Sequence, residues 1–204
     1  VMAGVLVQNE DERQYLDSLG VNDSKKLSPQ KREALESSIK KLKFAYVVIE
    51  PPTLDAGNLN DLEIMGVADL AKKLESKTLI LDCPVAPGGM AKLAAVLGRL
   101  LPVPKPHLIL ENKADTKYPS CMAASILAKV ERDRRVASLR EKFGDFGSGY
   151  PSDPKTVSFL NSPAYSQPGF NTHIRQKWGT IKKLSQSLPF YPLVPSHFSS
   201  PPSG

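Results

Sequence analysis

An α/β fold is predicted for this chain. Short apolar runs of four to seven residues alternate along it with longer stretches whose apolar residues recur every three or four positions. Capping and turn-forming residues stand at the junctions between the two kinds of segment. There is no internal repeat, and strands separated by helices lead to a sheet packed against helices.

Val1 to Val7 reads as a buried strand. Ser28-Pro29 starts a helix, with Ser as the cap and Pro at the first helical position, and Leu35, Ile39 and Leu42 follow as its apolar stripe. Phe44 to Ile49 is a second strand, closed by Pro51-Pro52. Leu62 to Leu74 is helical, with Ile64, Val67, Ala68, Ala71 and Leu74 on one side. Thr78 to Leu81 is a third strand ending in Asp82, Gly88-Gly89 opens a helix through Leu101, and His107 to Leu110 is a fourth strand. A long helix runs from about Pro119 to Phe143. Gly144 to Pro154 is a loop by composition, a short helix starts with Asp153 as its cap, and a last helix runs from about His173 to Leu188. Beyond it the prolines and serines read as a tail.

The 204 residues suffice for one domain with a sizeable core. No apolar run approaches the roughly 20 residues of a helical bilayer span, and no secretory signal pattern is present. Cys83 and Cys121 form no metal pair or disulfide framework by spacing and read as core thiols, which points to a reducing, cytoplasmic setting. P-loop, dinucleotide glycine and serine nucleophile motifs are all missing, and no His pair has metal-ligand spacing. The net charge is +6, with seven basic residues against two acids between Lys25 and Lys43, and no acid from Pro154 onward. Such blocks suit a polyanion, although solvated helix faces give the same pattern.

Three places could carry chemistry. Asp82 follows a buried strand, where ligand groups collect in open α/β sheets, but Asp-Cys-Pro is also an ordinary turn. Asp133 shares a helix side with Met122, Ile126, Lys129 and Val130. A carboxylate there needs an ion pair, with Lys129 one turn away, or a bound Mg²⁺. In the glycine loop, Gly144, Gly147 and Gly149 allow close backbone approach, and Tyr150 offers a flat face and a hydroxyl. A loop packed by its own tyrosine is the alternative.

Lys113-Ala114-Asp115, Tyr118, Ala123-Ala124-Ser125-Ile126, Ala128-Lys129-Val130 and Arg132-Asp133 together resemble the signature of ribonuclease HII, the type 2 ribonuclease H. Phe146 to Pro154, with Thr156, and Phe170 to Trp178 resemble the archaeal and eukaryotic branch. Asp23-Ser24-Lys25-Lys26-Leu27 resembles the family's Asp-Ser-Lys segment, and the likeness covers about residues 1 to 185 in order. It implies a mixed five-stranded sheet flanked by helices, with a helical C-terminal part. The implied activity is hydrolysis of the RNA strand of RNA–DNA hybrids and incision at ribonucleotides embedded in duplex DNA.

The resemblance further implies two divalent ions, Mg²⁺ or Mn²⁺, held by four carboxylates, of which Asp82 and Asp133 are two. The others form an Asp-Glu pair on a strand expected before Val1, and Val1 to Val7 resembles the family's second strand. Substrate contacts implied in the same way are Lys25 on a phosphate with Ser24 beside it, Lys113 and Lys129 near the acids, Tyr150 at the sugar, and Arg175, Lys177, Lys182 and Lys183 on the duplex backbone. The division expected is a catalytic core over 1–143, a substrate-binding region over 144–188 and a tail over 189–204, acting as a monomer. A chain without the preceding strand is expected to be poorly stable and inactive. The alternative function is a remnant that at most binds nucleic-acid duplex.

Overall fold

The structure is a computed structural model that describes residues 1–20, 27–83, 87–179 and 181. The chain runs β1 (Met2–Val5), α1 (Glu10–Ser18), α2 (Pro29–Ile39), β2 (Phe44–Val47), α3 (Pro51–Ala56), α4 (Leu59–Leu74), β3 (Thr78–Asp82), α5 (Pro87–Leu100), β4 (His107–Glu111), α6 (Pro119–Phe143) and α7 (Pro154–Leu160). Single 3₁₀ turns form at Ala114–Thr116, Pro163–Ser166 and Phe170–His173. The α/β class is as predicted, and every predicted strand is present.

Two helices escape the sequence pattern. α1 buries only Leu16 and is otherwise polar, so it shows no apolar stripe; Asn9 caps it by accepting the Glu12 N–H at 2.9 Å. α3 begins at Pro51-Pro52, the residues read as a strand stop, because proline also suits the first turn of a helix. The predicted last helix does not start at His173. His173 closes a 3₁₀ turn and Ile174 is extended, so helical backbone resumes at Gly179 and Ile181. The rest of that helix and the tail lie outside the described residues.

β1 pairs with β2 antiparallel, Met2 opposite Val47 through Val5 opposite Phe44. β3 pairs with β4 parallel, Thr78 opposite His107 through Asp82 opposite Glu111. These are two separate two-stranded sheets among the described residues, in place of the five-stranded sheet implied by the resemblance. β1 and β3 both line a cleft of about 190 Å³, with Ala3–Val7 and Thr78–Leu81 among its walls.

Helices cover both faces. Ala3, Val5 and Val7 alternate toward α6, where Met122, Ala123, Ile126, Leu127 and Val130 form the main core with Leu16 and Ile39. The opposite face meets α4 at close range: a Cβ on Gly4 would stand 2.6 Å from Leu74, and one on Gly66 2.6 Å from the Met2 sulfur. α4 and α5 then cover Leu79, Leu81, Leu108 and Leu110 of the parallel pair. A second core lies beyond the C-terminal half of α6, where Phe143, Phe146, Leu160, Tyr165, Phe170 and Ile181 are buried together. It includes Phe146 of the glycine loop.

Candidate active site

Asp82 stands at the carboxyl end of β3, as read from the sequence. The chain leaving β4 returns to it. Lys113 takes a left-handed conformation, φ 59°, which costs a non-glycine residue about 1–3 kcal/mol. That turn aims the Ala114 N–H at the Asp82 carboxylate, 3.2 Å from Oδ1, and starts the 3₁₀ turn in which Asp115 is 4 % exposed. Both acids act on one thiol. Burial first, then the charges of Asp82 and Asp115, push Cys121 up to about 12. The Ala114 N–H thus brings the 3₁₀ turn that carries Asp115 to the Asp82 end of β3. Glu111, opposite Asp82 in register, is engaged elsewhere by Lys117 at 2.5 Å and the Tyr118 hydroxyl at 2.8 Å, which hold its carboxyl below the usual range.

Asp133 stands further along α6. α6 touches β3 at Cys121, whose thiol donates to the Ile80 carbonyl at 3.5 Å, and Asp133 lies twelve residues further along the helix. At 1.5 Å per residue that is about 18 Å. Its carboxylate is clasped by two guanidinium groups, Arg32 Nη2 at 3.2 Å and Arg132 Nη1 at 3.1 Å. The sequence offered Lys129 as its ion-pair partner, whereas the partners recorded here are these two arginines. Asp115, quoted in the sequence only as part of a motif, is the acid brought to Asp82. The signal that finds it is its buried place two residues after a left-handed turn, a turn that no helical period encodes.

The glycine loop is built as its composition suggests. Gly147 and Gly149 have φ 76° and 74°. Asp153 accepts the Ser148 N–H at 2.6 Å and the Lys155 N–H at 2.9 Å, and these bonds hold its carboxyl down at about 2. Thr156 takes the Gly149 N–H and donates to the Phe146 carbonyl, both at 2.9 Å. Tyr150 emerges from this scaffold 52 % exposed, with the Arg132 guanidinium 4.0 Å from its ring centre.

The remaining predicted residues are scattered around these two places. Lys113 forms the turn beside Asp82, and Lys129 is half-buried on α6. Arg175 is half-buried with its Nε buried and lacking a hydrogen-bond partner, at the edge of the second core. The segment after it is fastened by Asp55 of α3, which accepts the N–H groups of Gln176 at 2.5 Å and Lys177 at 3.1 Å. Asp55 has no motif around it, so only the fold reveals its part. Ser24, Lys25, Lys182 and Lys183 lie outside the described residues.

The family model described as Ribonuclease HII matches residues 1–181. The chain belongs to the ribonuclease HII family. Ribonuclease HII of Pyrococcus furiosus is 36% identical over 92% of this chain and 85% of the relative. The structure of a PCNA:RNase HII complex from Archaeoglobus fulgidus aligns with a TM-score of 0.74 at 37% identity, over 89% of this chain and 87% of that one. Bst-RNase HIII in complex with Mn²⁺ aligns with a TM-score of 0.74 at 17% identity, over 91% of this chain and 63% of that one, a likeness of fold. Ribonuclease HII proteins are endoribonucleases that cut RNA in RNA–DNA hybrids, and the RNase H family uses divalent metals. In this ribonuclease HII chain the donor chemistry suits such an ion at Asp82 and Asp115, since Mg²⁺ takes one or two carboxylates and completes its shell with water and phosphate oxygens. Among the described residues no group of three or more His, Cys, Asp or Glu could enclose a metal.

Proposed function

We propose that this chain hydrolyses the RNA strand of RNA–DNA hybrids and incises duplex DNA at embedded ribonucleotides, with Asp82 and Asp115 as its metal-holding carboxylates. The observation that carries this reading is the meeting of two acids from separate strand ends, tied by the Ala114 N–H to Asp82. The divalent ions supply charge stabilisation and an activated water when bound; the family mechanism uses two of them. The chain's own residues do the rest. Asp82 and Asp115 hold negative charge at the reacting phosphate's side, and the Ala114 N–H fixes one Asp82 oxygen. Tyr150 presents an exposed ring and hydroxyl to a ribose at the RNA–DNA junction. Lys113 and Lys129 steady the substrate, and Lys25 and Ser24 grip a phosphate. Arg175 and Lys177, with Lys182 and Lys183, follow the duplex backbone without reading its sequence. Asp133 belongs with Arg132 and Tyr150 rather than with the metal.

The experiment is cleavage of a continuous hybrid, and of a DNA duplex carrying one ribonucleotide, with Mg²⁺, with Mn²⁺ and with chelator. Divalent-dependent cleavage that disappears in Asp115→Asn is the expected result. Cleavage that survives chelation, or that Asp115→Asn leaves intact, overturns it. A second reading, duplex binding without turnover, draws on the basic blocks, which suit a polyanion whether or not it is cut. Tight hybrid binding with no product at any Mg²⁺ or Mn²⁺ concentration selects it.

A further inference from the structure

The Asp133 carboxylate links α2 to the glycine loop through two guanidinium groups. On one side Arg32 of α2 reaches it at 3.2 Å and also donates to the Leu27 carbonyl at 2.8 Å, at the end of the Asp23–Leu27 segment. Arg32 is 14 % exposed, so this link runs through the interior. On the other side Arg132 reaches Asp133 at 3.1 Å and the Ser148 carbonyl at 2.5 Å. Its guanidinium then lies over the Tyr150 ring. Gly149 leaves room for that path, since a Cβ there would stand 3.2 Å from Arg132 Nη2.

We propose that Arg132, oriented by Asp133, is a specificity-determining positioning residue that sets the plane of Tyr150, with Arg32 holding the same carboxylate from α2. A ribose then meets a ring that is already aligned. One guanidinium meets three demands at once: a carboxylate, a carbonyl and an aromatic face. A planar fork can do this, whereas a lysine ammonium on its flexible stem cannot hold all three. The inference rests on the hybrid-cleaving reading for its substrates.

The test compares two duplexes, one with a single ribonucleotide and one all-DNA, by fluorescence anisotropy in chelator, so that no turnover is needed. The junction preference is the ratio of the two affinities. Arg132→Met is expected to lower that preference about fivefold, the scale of one cation–π contact. Arg132→Lys does not restore it, and stands in as the probe if the Met variant fails to fold. Added to Tyr150→Ala, the Arg132 change produces no further loss, because the residue acts through the ring. Asp133→Asn mimics Arg132→Met and leaves the Mg²⁺ requirement for cleavage unchanged. Independent, multiplying losses from Arg132 and Tyr150 overturn the proposal, as does full preference in a folded Arg132→Met chain. A raised Mg²⁺ requirement in Asp133→Asn also overturns it, by returning that carboxylate to the metal. A parent chain with no junction preference and no cleavage sinks the hybrid reading along with it, whereas normal parent behaviour with insensitive variants sinks this inference alone.

Discussion

Asp115 and Asp133 are both acids on or near α6, yet their surroundings give them different work. Asp115 is buried beside Asp82, where its negative charge adds to that of a second carboxylate. Two such groups together attract a divalent cation. Asp133 already has two guanidinium partners. Asp115→Asn is therefore expected to lower kcat on a hybrid by at least about a hundredfold, with the loss greatest at low Mg²⁺, while Asp133→Asn costs about tenfold or less. Steady-state rates across a Mg²⁺ titration check both. Asp153 makes a separate statement. Hydrogen bonds from the Ser148 and Lys155 backbone hold its folded pKa at about 2, below that of an unfolded carboxylate. A lowered folded value means that its contribution to stability is present above about pH 4 and is lost as pH falls through 2. Asp153→Asn is expected to flatten that part of the stability–pH curve, measured by denaturant unfolding.

At the scale of elements, caps and close approaches decide where the site residues stand. Ser28 caps α2 by accepting the Lys31 N–H at 3.2 Å, and α2 carries Arg32. Ser28→Ala is expected to cost about 1 kcal/mol in unfolding free energy and to loosen the Arg32–Asp133 pair. Gly4 and Gly66 let α4 lie directly on β1, at Leu74 and Met2. Gly4→Val forces Leu74 aside and is expected to cost about 1–3 kcal/mol, read as a lower denaturant midpoint with unchanged slope. Gly66→Ala meets the movable end of Met2 instead, so it is the milder change. The helices also show how far periodicity reaches. Long α6 was legible to its bounds because its apolar residues repeat over many turns, whereas α1 and α3 were not, having one buried residue and none.

For the whole molecule, the open cleft between β1 and β3 is the dominant feature. Among the described residues β1 and β3 each have one ladder partner, so their other edges carry backbone groups outside any ladder. Stability is then expected to be uneven. Amides of Ile126 and Leu127, deep in the α6 core, exchange slowest, and those of β1 and β3 that face the cleft exchange at least about tenfold faster in native-state hydrogen exchange. The charge distribution acts on the same scale. With +6 net and basic blocks along the chain, hybrid affinity is expected to fall steeply with salt. Six phosphate contacts would lose about a thousandfold in affinity between 50 and 200 mM. A flat dependence would remove the basic segments from the interface.

Sequence by itself determined the α/β class, the strand positions, the long helix, the capped glycine loop with Tyr150, and the likeness to ribonuclease HII. Each of these is written locally, in apolar period, in cap residues or in a run of motif residues. Tertiary structure alone decided which acid meets which. Asp82 and Asp115 are joined by a left-handed turn at Lys113, and Asp133 is claimed by Arg32 from α2 and by its neighbour Arg132. Helical spacing says which side of α6 an acid occupies, but not what stands opposite it. That depends on contacts between residues as far apart as Arg32 and Asp133, and a carboxylate's role follows from the cations that surround it.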